Sequence, residues 1–327
     1  MRKVRSNTVY IIVMWLILST NPGLVAQDVE GSMVYSLAML SNPALTGADG
    51  SGSLDLVYRD YYPGKGLSLN SLYIGYDTFN EFLHGGVGAY ISENNLGLLL
   101  NEVNIGANYS YHLRASREFF INAGFGINML YRSLRRDKII LPDQIDPFLG
   151  PVLVSEETID IPNRLLFDMT VGFLLSFRNY NAGISLAHIA RPDLSGQAID
   201  DSRLKRRLLI HADASFNSGE NRLEFTPLIY NNIQGYYLYG AAGLHLSYNS
   251  IGMVVLAHYS NSSGIYSLQP GLEFETGRVT FSYNYLFSPF DKREGIPVSQ
   301  SNLITVNIRL GNVEKSGVLK AIKYPRL

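Results

Sequence analysis

Apolar and polar residues alternate along most of the chain after about residue 50. In the clearest window, residues 103–113, Val103 and Ile105 fall on one face and Asn104 and Asn108 on the other. Period-two alternation is typical of a β-strand, whose successive side chains point to opposite faces. The window is also long, since strands of globular proteins usually have about five or six residues and a tilted membrane strand needs about 9–11. The pattern therefore predicts membrane-spanning strands.

The same alternation recurs along the rest of the chain. Five further clear windows cover residues 119–131, 167–175, 208–216, 279–285 and 304–310. Eight weaker windows begin near Leu54, Leu69, Gly85, Tyr180, Leu223, Tyr237, Ile251 and Ile265. The six clear and eight weaker windows together predict fourteen strands. An even number suits an all-β fold, a transmembrane antiparallel up-and-down β-barrel.

The connections between the windows differ in length in a regular way. The short ones are residues 114–117, 178–179, 218–221, 249–250 and 275–278, and the long ones are residues 133–164, 190–206 and 287–301. Short periplasmic turns and longer extracellular loops are typical of outer-membrane barrels, so both ends of the chain are expected on the periplasmic side. Four prolines argue against a long helix in residues 133–164. That loop is expected to cap the barrel, to fold inward as a plug or to contact a partner.

The first residues have the pattern of a secretory signal peptide. A basic start is followed by an apolar run at residues 9–18 and by small and turn-forming residues up to Ala26. The run is too short to cross about 30 Å of hydrocarbon as a helix. Cleavage after Ala26 is expected, which gives a signal peptide (1–26), a periplasmic N-terminal segment (27–51), an outer-membrane barrel (52–310) and a C-terminal tail (311–327).

Composition agrees with an exported barrel that spans a membrane with strands. Charged residues make up 17% of the chain, against about 25% in typical soluble proteins, and there are 22 tyrosines. There is no cysteine, so disulfides, cysteine-based zinc sites and a lipid-modified cysteine are excluded. The net charge of −1 makes nucleic acid an unexpected partner.

The polar residues of the inward-facing positions are the candidate functional groups. They are Asn104, Asn108, His112, Asn122, Asn128, His211, Asp213 and His245. A hydrolytic site needs a nucleophile, a histidine and an orienting group within hydrogen-bond reach, and no short spacing here supports one. Inward polar residues are usual in such barrels. We therefore expect a hydrogen-bonded lumen without a catalytic residue, a cofactor or a metal.

Several motifs resemble, in the same order, those of the PorP/SprF family of Bacteroidota outer-membrane proteins. The similarity begins at Gln27-Asp28 and runs through the stretch "LSNPALTGADG" and the first strand. The matching positions are Asn42, Pro43, Ala44, Gly47, Tyr58, Arg59, Gly85, Gly86, Asp168, His188 and Pro192. The chain departs from the family in having a single early Asn-Pro pair, and its last strand lacks the usual His-Glu.

The resemblance implies a role in type IX secretion and gliding motility. Family members are outer-membrane barrels linked to the export or surface attachment of large, adhesin-like secreted proteins that are recognised through a C-terminal domain. The expected partners are therefore outer-membrane lipid, such a secreted protein and other secretion components. The inward residues leave open a second class, a channel or transporter for small solutes.

The "LSNPALTGADG" stretch is predicted to act as a hinge. Pro43 fixes its own φ and favours extended geometry at Asn42, and Gly47 permits a sharp change of direction. The N-terminal segment is then expected to tuck under or into the barrel mouth as a plug or contact arm. Replacing Pro43 and Gly47 should impair assembly or partner binding and leave the strands formed.

Overall fold

Fourteen antiparallel strands form one closed sheet in the computed structural model. The structure describes residues 33–64, 69–97, 100–135, 144–146, 150–151, 163–194, 203–218, 223–261, 264–289 and 300–311. The strands are β1 (Ser53–Tyr61), β2 (Leu69–Asn80), β3 (Gly85–Leu96), β4 (Leu100–Arg114), β5 (Phe119–Leu134), β6 (Arg164–Phe177), β7 (Tyr180–Ala187), β8 (Arg207–Ala214), β9 (Leu223–Gln234), β10 (Tyr237–Tyr248), β11 (Ile251–Ser260), β12 (Gly264–Thr276), β13 (Val279–Phe287) and β14 (Gln300–Arg309). Each strand pairs with the next, and β1 pairs with β14 to close the barrel. This confirms the fold that the alternation predicts.

The remaining regular elements are short. A short strand, Phe216–Ser218, follows β8 and pairs with β9. Within the longest loop, two strands of two residues each, Ile145–Asp146 and Gly150–Pro151, pair antiparallel. Before β1 lie a one-turn helix, α1 (Ala38–Ser41), and a 3₁₀ turn, Pro43–Leu45. None of the helices in the described part of the chain is long and apolar enough to span a membrane.

The strands carry apolar side chains on the outside and polar ones inside, the reverse of a soluble core. On β11, Ile251 and Met253 point outward and are 58% and 53% exposed, whereas His258 points inward and is fully buried. The outward tyrosines Tyr58 and Tyr109 are also exposed. A surface of this kind is stable in lipid and not in water, because hydrocarbon cannot satisfy polar groups.

The two ends of the barrel differ in their connections. We call the end where β1 begins the turn end; the connections described there, residues 81–84, 115–118, 178–179, 249–250 and 277–278, are short. The opposite, loop end carries the long connections 135–163, 188–206 and 288–299. It also carries three connections as short as the turns, at residues 97–99, 235–236 and 261–263. Gly97, Gly235 and Gly264 have positive φ there, which permits tight reversals.

Residues 33–51 lie inside the barrel. Nearly all of them are buried against inward-facing side chains of the wall. Of the two positions expected for this segment, under or into the barrel mouth, the structure has the second. The predicted signal peptide, the predicted C-terminal tail beyond residue 311 and most of the loop 133–164 lie outside the described residues.

Candidate functional site

The N-terminal segment, residues 33–50, fills part of the barrel and is called the plug below. Its central turn is organised by Asn42, whose backbone is extended with φ −146° and ψ 110°. The Asn42 side chain accepts a hydrogen bond from the backbone N–H of Ala44 at 3.0 Å, and Pro43 occupies the first position of the 3₁₀ turn. Asparagine is a favoured N-cap and proline a favoured first residue. The sequence Asn-Pro-Ala therefore specifies this turn locally.

Side chains of the barrel wall donate hydrogen bonds to the backbone carbonyls of the plug. Asn108 of β4 donates to the carbonyl of Met39 at 2.8 Å. Ser185 of β7 donates to the carbonyl of Ser41 at 2.6 Å. Buried carbonyls need such partners, because leaving one unpaired costs about 1–3 kcal/mol.

Two further plug carbonyls, those of Ala44 and Thr46, are also bound by side chains of the wall. The carbonyl of Ala44 accepts from Ser110 of β4 at 3.1 Å and from Asn122 of β5 at 3.2 Å. The carbonyl of Thr46 lies 3.1 Å from Nε2 of His112, which must carry the proton at that atom to donate. Side chains of the wall therefore bind the backbone of the plug between Met39 and Thr46.

The Asn42 side chain is inserted into the wall between β6, β7 and β8. Its Nδ2 donates to the carbonyl of Phe173 at 3.1 Å and lies 3.0 Å from Nε2 of His211. Both Asn42 and His211 are almost completely buried. This is the one plug side chain whose amide reaches two wall partners and its own turn at the same time.

Glycines on the inner face of the wall make room for the plug. A Cβ atom added at Gly86, Gly124 or Gly172 would lie less than 3.0 Å from a plug atom, closer than real Cβ atoms approach. At Gly124 the conflict is with the backbone of residues 43 and 44, and at Gly172 it is with the Asn42 amide. We call these glycines and the donors Ser110, Asn122, Asn108, His112 and Ser185 the cradle. At Gly86 and Gly124 a larger residue would meet plug backbone, and at Gly172 it would displace the Asn42 side chain.

Gly47 fits the plug against β3. Its φ is +68°, and a Cβ there would lie 2.6 Å from the Cα of Gly86. Its N–H donates to a carboxylate oxygen of Asp77 at 2.6 Å, and the other oxygen of Asp77 accepts a short hydrogen bond from Ser53. Gly47 therefore turns the chain and anchors it beside the start of β1.

The N-terminal part of the plug packs against an aromatic cluster on the opposite wall. The Tyr35 hydroxyl donates to the carbonyls of Ala212 at 3.2 Å and Ile229 at 3.1 Å, and its ring meets Tyr230 edge to face at 5.8 Å. Burial, with a smaller effect of the Asp213 carboxylate, raises the pKa of the Tyr35 phenol well above its usual range. Tyr35 therefore remains a neutral donor.

The aromatic cluster itself is held by a central histidine. Nδ1 of His258 lies 3.1 Å from the Tyr239 hydroxyl and Nε2 lies 2.9 Å from the Gln269 amide oxygen. Tyr230 and Tyr266 complete the cluster. None of these residues was among the sequence-based candidates. All of them except Tyr266, which lies at a register irregularity between β11 and β12, occupy inward positions of alternating windows.

A family comparison identifies the chain's relatives. The model of the family "Type IX secretion system membrane protein PorP/SprF" matches residues 25–293. The chain belongs to the PorP/SprF family. This confirms the resemblance read from the sequence and makes the protein an outer-membrane component of type IX secretion. A comparison with curated proteins finds no match.

Solved structures similar to this PorP/SprF member are barrels of low sequence identity. Omp33, an outer membrane protein of Acinetobacter baumannii, is 7% identical, with 81% of this chain and 100% of that chain covered and a TM-score of 0.47. The Pseudomonas putida toluene transporter TodX is 11% identical, with 83% and 92% covered and a TM-score of 0.46. A TodX deltaS2 mutant, a monoaromatic hydrocarbon channel, is 12% identical, with 83% and 92% covered and a TM-score of 0.49. At these identities the likeness concerns the barrel fold alone.

The structure brings together six of the eleven positions at which the sequence resembles the PorP/SprF family. These are the plug residues Asn42, Pro43, Ala44 and Gly47, together with Gly86 of the cradle and its neighbour Gly85. Gly85 is itself required where β3 approaches β4, since a Cβ there would collide with the carbonyl of Ser110. Positions dispersed in sequence therefore meet where the plug contacts β3.

The other motif positions lie elsewhere. Asp168 of β6 is 2.6 Å from Nδ1 of His188 and accepts from the backbone N–H of Ala190 at 3.3 Å, which folds the chain after β7 inward at the loop end. Arg59 points inward, donates to Ser301 and has its guanidinium 4.4 Å from the ring centre of Tyr61. Tyr58 faces outward, and the carbonyl of Pro192 accepts from Leu204.

The predicted inward polar residues divide into those that touch the plug and those that do not. Asn108, His112, Asn122 and His211 contact the plug as described above. Asn104 and Asn128 bond to one another at 3.2 Å, and Asp213 accepts from Asn181 at 2.8 Å. His245 of β10 lies 3.3 Å from Glu273 of β12. The prediction of a hydrogen-bonded lumen therefore describes two kinds of contact, within the wall and to the plug.

No group of three histidine, aspartate or glutamate side chains that could hold a metal occurs within the described ranges. The expectation of a lumen without a metal or a cofactor stays a prediction. Ser185, Ser110 and the glycines Gly124 and Gly172 were missed by sequence reasoning, since small residues at inward positions carry no chemical signal of their own.

Proposed function

We propose that this barrel takes part in the export or surface attachment of a large, adhesin-like secreted protein that carries a C-terminal targeting domain. We further propose that it acts as a scaffold and has no enzymatic step. Membership of the PorP/SprF family supports the link to secretion. The main support for the scaffold role is the plug, which lies in the lumen and is hydrogen-bonded to several strands.

The plug also bears on the second class, a channel for small solutes. A solute crossing the lumen would have to pass residues whose carbonyls are held by Asn108, Ser110, Asn122 and Ser185. Breaking those bonds exposes buried polar groups, which is costly in a closed lumen. A plugged barrel therefore favours a scaffold over an open pore.

The proposed route to the membrane is export with cleavage after Ala26 and insertion with the turn end facing the periplasm. N-terminal sequencing of the purified protein should begin at Gln27. A protease added to intact cells should cut loops of the loop end and leave turns such as residues 115–118 uncut. Cutting only at the turns would reverse the proposed orientation.

The test of function is purification of the tagged barrel from cells with an intact type IX system. A large secreted protein should co-purify, and it should be lost when the loop 133–164 is deleted. Heat-modifiable migration on gels shows that the deletion variant is still a folded barrel. Retention of the partner by that variant would exclude this loop as its contact.

Bilayer conductance separates the two classes. The intact protein should show no steady open-channel conductance. A steady conductance, together with normal surface display of all secreted proteins in a deletion strain, would replace the scaffold proposal by the channel.

A further inference from the structure

We propose that the cradle is a peptide-binding site for a short turn-forming segment with the sequence Asn-Pro-Ala-Leu-Thr-Gly, and that residues 33–50 occupy it as an exchangeable ligand of the same chain. The same site should bind an equivalent peptide supplied as a separate molecule. This inference does not depend on the proposed role in secretion, since both the ligand and the site are parts of this chain.

The contacts are those of a receptor for a peptide main chain. Wall side chains on β4, β5 and β7 donate to four plug carbonyls, those of residues 39, 41, 44 and 46. Main-chain bonds supply affinity in peptide recognition and side-chain pockets supply sequence preference. Here the preference comes from Asn42, which enters the wall beside Gly172 and reaches Phe173 and His211.

The wall does not need the plug to close. Every barrel strand pairs with a strand on each side, and β1 and β14 join along nine residue pairs. Among the described residues, none of those before Ser53 belongs to the sheet ladder. The plug therefore adds no strand to the wall, and its removal leaves the ladder intact.

Glycines on the inner face of the wall leave the space that the plug occupies, although larger wall side chains could have filled it. Gly86, Gly124 and Gly172 lie on three different strands, and each would conflict with the plug if it carried a Cβ. Glycine in a strand interior weakens the strand and often marks a close approach of another backbone. Retaining the three at one place is explained by an occupant that arrives as a separate segment.

The experiment keeps the whole chain and separates the plug only after folding. A protease site is inserted after Gly50, in the half-buried turn between the plug and β1. After cleavage in detergent, the plug fragment should still co-elute with the barrel. A fluorescent synthetic peptide of residues 33–50 should then replace it saturably, as measured by anisotropy, and excess unlabelled peptide should reverse the binding.

Two variants tie the binding to the cradle. An Asn42→Asp peptide loses the amide donor and buries a charge, so it should bind on the order of 100-fold more weakly. A Ser185→Ala barrel loses one neutral bond, to the carbonyl of Ser41, and should bind the normal peptide about 2- to 10-fold more weakly. A His245→Asn barrel changes a lumen residue that lies 3.3 Å from Glu273 and is not among the residues that bind the plug, and it should bind the peptide normally.

The outcomes are decisive in both directions. Exchange with the expected order of affinities supports the proposal. Loss of the fragment without rebinding of the peptide overturns it, and so does a fragment that stays bound for days without exchange, because the plug is then a fixed structural element. Equal binding of the normal and the Asn42→Asp peptides also overturns it, since that would be adsorption to barrel or detergent.

Discussion

Replacing Gly124 by alanine should destabilise the seated plug and leave the barrel folded. Gly124 lies on β5, where alanine is compatible with the extended backbone, and its added Cβ would meet the backbone of Pro43 and Ala44. Backbone atoms cannot rotate away as a side chain can. The plug must therefore shift, and the shift breaks the bonds from Ser110 and Asn122 to the Ala44 carbonyl.

The size of the effect follows from this single added methyl group. Overpacking a fitted site costs about 1–3 kcal/mol, and the neutral bonds at risk are worth about 1 kcal/mol each. The seated plug should therefore be destabilised by about 1–3 kcal/mol relative to the unseated one. At 1.4 kcal/mol per factor of ten, the unseated population rises roughly 5- to 150-fold.

A cysteine at position 46 reports the unseated population. The natural chain has no cysteine, and Thr46 is 0% exposed in the seated plug. In a Thr46→Cys background a maleimide should react slowly, at a rate proportional to the unseated fraction. Adding Gly124→Ala should raise that rate by the factor given above.

The matched control is Gly311→Ala, where an added Cβ has nothing closer than 3.7 Å. Its labelling rate should equal that of the Thr46→Cys parent, and both variants should keep heat-modifiable migration. A rate that rises less than twofold in a folded Gly124→Ala barrel would refute the idea that wall glycines are fitted to the plug.

Three further predictions address other parts of the structure. Gly47→Ala adds a conflict with the wall and places alanine at a positive φ that is unfavourable for it. The rate of labelling of the cysteine at position 46 should therefore rise further than with Gly124→Ala, and an unchanged rate would contradict the turn geometry. Asp168→Ala removes the partner of His188 and of the Ala190 N–H. The rate of amide hydrogen exchange at residue 190 should therefore rise by about tenfold or more, and an unaltered rate would mean that another contact holds this loop. Ile105→Arg puts a charge on an outward position that is 57% exposed. The free energy of unfolding in lipid vesicles should fall by about 2–4 kcal/mol. An unchanged free energy would mean that this face is not in hydrocarbon.

The strand plan could be predicted from sequence because the signal is repeated and strictly local. The windows beginning at Leu69, Gly85, Leu223 and Tyr237 start at the residues where β2, β3, β9 and β10 start. Each strand has one face in lipid and one in the lumen, so alternation persists over its whole length. A strand buried on both faces would have given no such alternation.

The cradle could be predicted only in part. Asn42-Pro43 gives a local signature of a capped turn, and the family motif marked Gly86. Nothing in the sequence indicates that Gly124 and Gly172 face the same turn, because they lie on different strands and meet it only through the barrel's curvature and register. The contact of Ser185 with the plug could not be predicted for the same reason.

The lumen is filled in two ways, and the difference explains why the plug is where it is. On one side, β9 to β12 fill the interior with their own side chains, among them Tyr230, Tyr239 and His258. On the other side, β3 to β6 present glycines and short polar donors, and the plug fills this part of the lumen and accepts their hydrogen bonds. Apolar packing alone could not fill this part of the lumen, because its donors need acceptors. This part requires a segment rich in main-chain carbonyls, and the plug supplies them.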